Sequence, residues 1–199
     1  MALLAETLVE EWLNRRGYFT IRGVKEGVSE MDLLAIKPSN GIGVEALHVE
    51  VQTSFRPIGY ISPLTKNLAA STGKARGFTG HRTPEMLKEC VSEWVQKKYL
   101  NPKKVNRRKA LWPGAEWVHI LVHGAVKYPE ELQEIEQRGV KLVPLERVLE
   151  DLCPPQRPPF TASAGGDLAD LIDFYGRTRH LPLTDEAEDE NQTEDGDLT

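Results

Sequence analysis

Two acidic residues, Asp32 and Glu50, stand near the ends of two apolar segments that could pair as strands. The segments are residues 29–36 and 48–52, and a stretch rich in proline, glycine, serine and asparagine separates them. Apolar segments joined in this way predict an antiparallel hairpin. A turn centred on Gly41 would pair residues whose numbers add to 82, and this register sets Asp32 opposite Glu50.

The register predicts a polar site on one face of the hairpin. Because a strand alternates its faces, His48, Glu50 and Gln52 share a face. Opposed carboxylates repel each other unless a cation lies between them, and a hard divalent cation such as Mg²⁺ is the usual one. The alternative is that both acids are strand-end charges that face water, and a slip of one residue would separate them. His48 could line the resulting cleft, but the simpler interpretation is a polar residue on an edge strand.

Length and composition predict one globular domain with appendages. The chain has 199 residues, of which 40% are hydrophobic and 28% charged, and these are ordinary values for a globular protein. No apolar run approaches the roughly 20 residues of a membrane span, and the first residues lack the basic start of a signal peptide. Cys90 and Cys153 have no CxxC partner and are expected to be free thiols. These features predict a cytoplasmic protein that does not enter a membrane.

The net charge of −5 hides an uneven distribution. Residues 185–199 contain eight acids and no lysine or arginine. Without these acids, 25 basic residues face 22 acidic ones, so residues 1–184 carry a charge of +3. The acidic end is expected to be disordered, either as a solubility tail or as a competitor of a polyanion for a basic surface.

The pattern of apolar residues predicts a mixed β-sheet flanked by helices, in the order α-β-β-β-α-β-α-β-α. Besides the hairpin, the predicted segments are helix 3–15, strand 18–22, helices 64–74 and 83–99, strand 117–124, helix 130–137, strand 140–143 and helix 145–152. Asn101-Pro102 is expected to end the second of the two middle helices. His119 and His123, four apart on a predicted strand, are interpreted as structural.

The domain boundaries follow from shifts in composition. Residues 1–153 are expected to form the α/β domain, with residues 53–115 as an elongated helical and basic insertion. Residues 154–183 are predicted to be a proline-rich linker followed by one short helix, and residues 184–199 the disordered acidic tail.

A basic run at residues 97–109 contains seven cationic residues and no acid. Such a run is either a solvated face or a surface that contacts a phosphate backbone. With two further lysines upstream, the predicted nucleic-acid contacts are Lys66, Lys74, Lys97, Lys98, Lys103, Lys104, Arg107, Arg108 and Lys109.

The order of these motifs resembles the PD-(D/E)xK, or restriction-endonuclease-like, nuclease superfamily, and within it the small members related to Holliday-junction resolvases. That family has a Glu early in the first helix, a Gly-aromatic pair at the end of that helix, an Asp opening the second strand and Glu-x-Lys closing the third. In this chain the matching residues are Glu6, Gly17-Tyr18, Asp32 and Glu50-Val51-Gln52. The resemblance covers roughly residues 3–52.

The resemblance implies a restriction-endonuclease-like fold and a metal-dependent nuclease that hydrolyses phosphodiester bonds of nucleic acid, with DNA favoured over RNA. Asp32, Glu50 and the backbone carbonyl of Val51 would bind Mg²⁺ or Mn²⁺, and Glu6 would be an additional ligand. The implied catalytic residues are then Asp32, Glu50, Gln52 and Glu6. A homodimer is a further possibility, since dimers are common in the family.

Gln52 departs from the family pattern, which most often has lysine at this position. An amide can orient a water molecule but adds no positive charge. A lysine from a neighbouring helix could replace it, and Lys66 and Lys74 are the candidates. One alternative is a catalytically inactive relative that binds nucleic acid or a protein partner. Another is an adaptor that acts through the predicted helix at 167–175 and the acidic tail.

Overall fold

The protein has an α/β fold in which a mixed sheet of five strands carries helices on both faces. The computed structural model describes residues 2–152, except 28, 40–42 and 55, together with 166–168, 170, 171 and 174. The elements in chain order are α1 Ala2–Arg15, β1 Phe19–Glu26, β2 Ser29–Pro38, β3 Val44–Gln52, α2 Lys66–Thr72, α3 Pro84–Lys98, α4 Pro102–Leu111, β4 Trp117–His123, α5 Glu130–Glu136, β5 Val140–Pro144 and α6 Leu145–Leu152.

The strands lie in sequence order, β1-β2-β3-β4-β5. The first three are antiparallel, and β4 and β5 continue parallel to β3. The pairs Leu33↔Val49 and Pro38↔Val44 confirm the predicted hairpin register. The apolar pattern specifies this register, because a slip by one residue would turn every buried side chain of β2 outwards.

Strand β3 is the centre of the sheet, and its residues 46–51 are all buried. Leu47, Val49 and Val51 point to the face covered by α1 and α6, where they join the first hydrophobic core. Because side chains alternate, His48 and Glu50 point to the opposite face. There the second core, built from α3, α5, β4 and β5, covers the sheet. The sequence therefore places two polar side chains in a buried layer, where each needs a polar partner.

The predicted order had one helix between β3 and β4 and the predicted segments had two, whereas the described residues there form α2, α3 and α4. Thr83 caps α3 as predicted, and its hydroxyl accepts a hydrogen bond from the Met86 amide. Asn101 caps a further helix, α4, with Pro102 in its first turn. The prediction took Asn101-Pro102 only as a stop, although this pair has the same capping chemistry as Thr83-Pro84. Helix α4 was missed because its buried residues are cations rather than apolar side chains.

The later elements match the sequence prediction within one residue. The described residues between 166 and 174 are helical, and Leu168 packs against the first core. Cys90 is a buried free thiol. The predicted linker, Cys153 and the acidic tail lie outside the described residues. Within the part of the chain that the structure describes, no helix has the length and apolar character needed to cross a membrane.

The loop that leads from β3 towards α2 is held by one buried carboxylate. Glu131 of α5 accepts hydrogen bonds from the amides of Ile61 and Ser62, at 2.7 and 2.8 Å, and from the Ser62 hydroxyl. Burial raises the pKa of Glu131, and these hydrogen bonds partly oppose the shift. Arg82 also reaches this loop, since its guanidinium donates to the Ser62 carbonyl.

We expect Glu131→Ala to lower the free energy of unfolding by about 2–4 kcal/mol, because buried donors lose their acceptor. Urea unfolding would measure the loss, and the Ile61 and Ser62 amides should exchange faster with solvent. The exposed Glu136→Ala serves as the matched control on the same helix, with an expected change below about 0.5 kcal/mol. Equal stability of the two variants would contradict this role for Glu131.

Candidate active site

Asp32 lies where the ladders on both sides of β2 are interrupted. The β1–β2 register would set Gly23 opposite Asp32, but no ladder pair forms there, and Gly23 adopts a left-handed φ of 66° that favours glycine. On the other side, the pairing with β3 ends at Leu33. Beyond Leu33, the Asp32 side chain rather than the backbone of β2 bonds to β3, since Asp32 Oδ2 accepts a hydrogen bond of 2.8 Å from the Val51 amide.

This position makes Asp32 an unusually weak acid. Burial raises its pKa to about 6, and the negative charge of Glu50 adds to the shift. The hydrogen bond from Val51 and the charges of Lys98 and Lys104 act in the opposite direction but do not cancel it. The continued register places Asp32 opposite Glu50 on the same face, as predicted.

Glu50 is fully buried and is bound by three side chains. Its Oε2 accepts a hydrogen bond from Lys98 Nζ at 2.5 Å. Its Oε1 lies 3.2 Å from Lys104 Nζ and 3.0 Å from His48 Nε2. A buried carboxylate without a partner would destabilise the fold by several kcal/mol, so these contacts are what allow an ionised Glu50 on the central strand.

The two lysines differ in their electrostatic environment. Burial lowers the pKa of Lys98, but the attraction of Glu50, Asp32 and Glu6 outweighs burial and leaves that pKa raised. Burial dominates at Lys104, which is 1% exposed, and lowers its pKa although Glu50 opposes the shift. Lys104 is also fixed by a 2.6 Å hydrogen bond to the Glu30 carbonyl. Lys98 is therefore the ammonium that combines a raised pKa with access to solvent, since 28% of its side chain is exposed.

His48 lies within the fold, with no exposed surface. Its interpretation as an edge-strand residue is wrong, because β3 is the central strand of the sheet. The burial of His48 and its contact with Glu50 make it part of the site. His119, on the neighbouring strand, lies 4.9 Å from Tyr99 between ring centroids, in the packed layer beneath the site. This location is compatible with the structural role predicted for His119.

Glu6 of α1 lies at the border of the site and is partly buried. Burial raises its pKa, and the next largest contribution is the negative charge of Asp32. Arg22 partly offsets both effects. This electrostatic coupling indicates that Glu6 lies near the carboxylates of the hairpin.

The other residues predicted around position 52 are more scattered. Gln52 ends β3, is half-buried, and pairs with His123 of β4. Lys66 is exposed at the start of α2, and Lys74 Nζ lies 4.1 Å from the centre of the Phe78 ring. The expectation that Lys66 or Lys74 would approach the carboxylates is wrong, because Lys98 and Lys104 occupy that position.

The structure divides the basic run into two groups. Lys104 and Arg108 point inwards and are 1% and 4% exposed, so they do not form the predicted phosphate-contacting surface. Lys97, Lys103, Arg107 and Lys109 are exposed, and Lys97 forms an ion pair with Glu93. Helical spacing is the sequence signal that could have identified the inward-pointing cations. Lys98 continues the buried stripe of Leu87, Val91 and Trp94, and Lys104 and Arg108 are one helical turn apart.

The oxygen atoms of the site fit a hard divalent cation in their chemistry. Each carboxylate oxygen has two lone pairs, so the contacts of Asp32 and Glu50 leave acceptor capacity. Burial first and the charge of Glu50 second raise the pKa of Asp32, and a bound cation would oppose both effects. Within the described ranges, no three or more His, Cys, Asp and Glu side chains form a ready metal cage. The arrangement suits a cation held by one or two carboxylates, with water and substrate oxygens as the other ligands.

The raised pKa of Asp32 predicts that this residue destabilises the metal-free protein. Its pKa is about 6 in the fold and 3.8 when unperturbed, so the ionised form is disfavoured in the folded state above pH 6. In EDTA at pH 8, we expect Asp32→Asn to raise the free energy of unfolding by roughly 1–3 kcal/mol. The gain should vanish as the pH falls from 6 towards 4, because the folded protein then binds a proton at Asp32.

Urea unfolding at several pH values would measure this effect. Glu30→Gln, which alters an exposed carboxylate two residues away, is the matched control and should change stability by less than about 0.5 kcal/mol. A loss of stability in Asp32→Asn at pH 8 would contradict the expectation.

Comparisons with known proteins leave the family of this chain open. No family model and no curated protein matches it. The crystal structure of AF1548, a protein of unknown function, is similar at 12% identity with a TM-score of 0.41. The match covers 75% of this chain and 66% of that chain, just under two thirds of its length. At this TM-score the likeness carries no argument about function.

Proposed function

We propose that this protein is a metal-dependent nuclease that hydrolyses phosphodiester bonds of nucleic acid, with DNA as the favoured substrate. One observation carries the proposal. Asp32 and Glu50 meet on one face of the hairpin, and the ammonium of Lys98 lies 2.5 Å from the Glu50 carboxylate. Two acids and one lysine at this place are the chemical groups of the PD-(D/E)xK motif, although the lysine comes from α3 rather than from position 52.

Asp32 and Glu50 would hold Mg²⁺ or Mn²⁺, and Glu6 and the Val51 carbonyl are the additional oxygen donors. A bound divalent ion would supply Lewis-acid activation of the phosphate and a water of lowered pKa. The first four elements, α1-β1-β2-β3, and the position of the carboxylates support a restriction-endonuclease-like topology. Helices α3 and α4, which contribute Lys98 and Lys104, would then be part of the site rather than of a separate insertion.

Lys98 would perform the work that Gln52 cannot. Its ammonium is charged at neutral pH, because the surrounding acids raise its pKa. A fixed positive charge beside the reacting phosphate stabilises the negative charge that develops during hydrolysis, and it can orient the attacking water. Gln52 shares the face of Glu50 and remains able to hydrogen-bond a water or a phosphate oxygen.

The exposed cations of α3 and α4 would bring the polyanion to this site. Lys97, Lys103, Arg107 and Lys109 lie on the same two helices that contribute Lys98 and Lys104. Contacts of this kind bind the phosphate backbone irrespective of sequence, so we expect weak sequence preference and strong salt dependence.

The second candidate is a catalytically inactive nuclease-fold protein that binds nucleic acid. Its support is that Gln52 replaces the motif lysine, while Glu50 is already neutralised by Lys98 and Lys104. Such a protein would keep salt-dependent DNA binding without cleavage.

A cleavage assay would separate the two candidates. Purified protein would be incubated with supercoiled plasmid, single-stranded DNA, a branched junction and RNA, in Mg²⁺, Mn²⁺ or EDTA. The enzyme should cleave at least one of these substrates only with metal, and Asp32→Ala and Glu50→Gln should abolish that cleavage. DNA binding without any cleavage would favour the inactive protein.

The role of Lys98 has a specific test. We expect Lys98→Met to reduce the cleavage rate by at least about 100-fold, because the transition state loses a charge that no other group replaces. Lys97→Met is the matched control, since Lys97 is adjacent but exposed and paired with Glu93. Its rate should stay within about threefold of the wild-type rate at low salt.

A double variant would show whether the charge itself is what matters. Adding Gln52→Lys to Lys98→Met returns an ammonium to the face of Glu50, so we expect at least a tenfold recovery of the rate, corresponding to about 1.4 kcal/mol. A Lys98→Met variant that cleaves DNA at the wild-type rate would show that Lys98 has no catalytic role.

A further inference from the structure

Arg108 is a buried cation whose contacts are directed at a histidine. Its Nη1 lies 2.5 Å from His48 Nδ1, and its Nη2 donates to the Tyr99 carbonyl at 2.9 Å. A second contact of Nη2, at 3.5 Å, reaches His119 Nε2. Two periodicities create this arrangement. His48 and Glu50 are two residues apart on a strand, and Lys104 and Arg108 are four residues apart on a helix. Helix α4 therefore brings Lys104 to Glu50 and Arg108 to His48.

These contacts determine which nitrogen of His48 carries the hydrogen. A guanidinium has donors and no acceptor, so Nδ1 must accept the hydrogen bond from Arg108. The hydrogen of the neutral ring is then on Nε2, which lies 3.0 Å from Glu50 Oε1 and donates to it. Because Nδ1 accepts from Arg108, it cannot carry a hydrogen of its own, so the ring is neutral. The hydrogen bonds therefore run in one direction, from Arg108 through His48 to Glu50.

The direction of this chain matters for the Glu50 carboxylate. Oε1 accepts hydrogen bonds from His48 and from the buried Lys104, whereas Oε2 accepts one from Lys98, which is partly open to solvent. Two donors on one oxygen prevent the carboxylate from rotating. The other oxygen is thereby held towards Lys98, on the partly exposed side of the carboxylate.

We propose that His48, held in its Nε2–H tautomer by Arg108, is a positioning residue that fixes the Glu50 carboxylate for binding a divalent cation. The proposal rests on the nuclease function proposed above. Outer groups that orient a metal-binding carboxylate typically change metal affinity or activity by about 10–100-fold when they are removed. His48 acts through Glu50 and does not itself contact the substrate.

The test uses the full chain and two substitutions at one position. His48→Leu removes both hydrogen bonds, whereas His48→Gln keeps one acceptor and one donor bonded to a shared carbon, as the two ring nitrogens are. We expect His48→Leu to weaken Mn²⁺ binding, measured by calorimetry, by at least about tenfold and to lower kcat. The KM for DNA should stay within about threefold, because the exposed cations are unchanged. His48→Gln should recover most of both losses, and His81→Leu, at an exposed histidine, is the matched control.

A second measurement needs no variant and covers the case in which His48→Leu does not fold. Nitrogen-15 NMR of the imidazole rings in the wild-type protein should show His48 as the neutral Nε2–H tautomer. The Nδ1–H tautomer or a doubly protonated ring would overturn the proposal.

The outcomes separate this inference from the proposed function. Wild-type protein that binds Mn²⁺ and cleaves DNA, with His48→Leu unchanged in both, would overturn the role of His48 alone. The role would also be overturned if both variants fold and His48→Gln loses as much Mn²⁺ binding and cleavage as His48→Leu. The hydrogen bonds would then not explain the loss. Wild-type protein that neither binds Mn²⁺ nor cleaves nucleic acid would overturn the nuclease function together with this role.

Discussion

The burial of Glu50 on the central strand is the constraint on which the site depends. Its side chain points into a layer that α3 and α4 close from solvent, and an ionised carboxylate there requires compensating charge. Lys98 and Lys104 supply that charge from two different helices, and His48 supplies a neutral donor from the same strand. Because the charge must be matched, both helices have to pack where they bring their cations to one carboxylate.

This requirement explains why α4 does not look like a helix that packs against a sheet. The residues it buries are Lys104 and Arg108, and its contacts with the site are hydrogen bonds to Glu50, His48 and two backbone carbonyls. Polar contacts of this kind are directional, so they specify one position of α4 more sharply than apolar contacts would. The long stems of the two cations add apolar contact along the way.

Asp32 shows the opposite balance, since the fold does not fully compensate its charge. It lies where the ladders on both sides of β2 are interrupted, and burial together with the charge of Glu50 raises its pKa to about 6. Strongly perturbed acids next to a cleft are typical of sites that act on a ligand. The lysines thus compensate the charge of Glu50 more fully than that of Asp32, and the cation of the proposed function would supply the remaining positive charge.

Much of the fold could be predicted from the sequence because its signals are local. The alternation of apolar residues and the turn between the strands determined the hairpin register, and with it the shared face of Asp32, His48, Glu50 and Gln52. The capping pair Thr83-Pro84 determined where α3 begins, and the same chemistry at Asn101-Pro102 was available for α4. The helical spacing of Lys98 with Leu87, Val91 and Trp94 was likewise available as a signal that its stem starts from the buried face of α3, although Lys98 was predicted to contact phosphate.

Only the tertiary structure decided which cations serve the carboxylates. Lys98 and Lys104 are 48 and 54 residues from Glu50 along the chain, and Arg108 is 60 residues from His48. A lysine has no local preference that distinguishes a partner in the core from a phosphate at the surface, since its stem can reach either. The order of the strands decided the position of His48 in the same way, because β4, which pairs along the open edge of β3, follows only after three intervening helices in the chain. Local periodicity sets the direction in which a side chain points, and long-range packing sets what it meets.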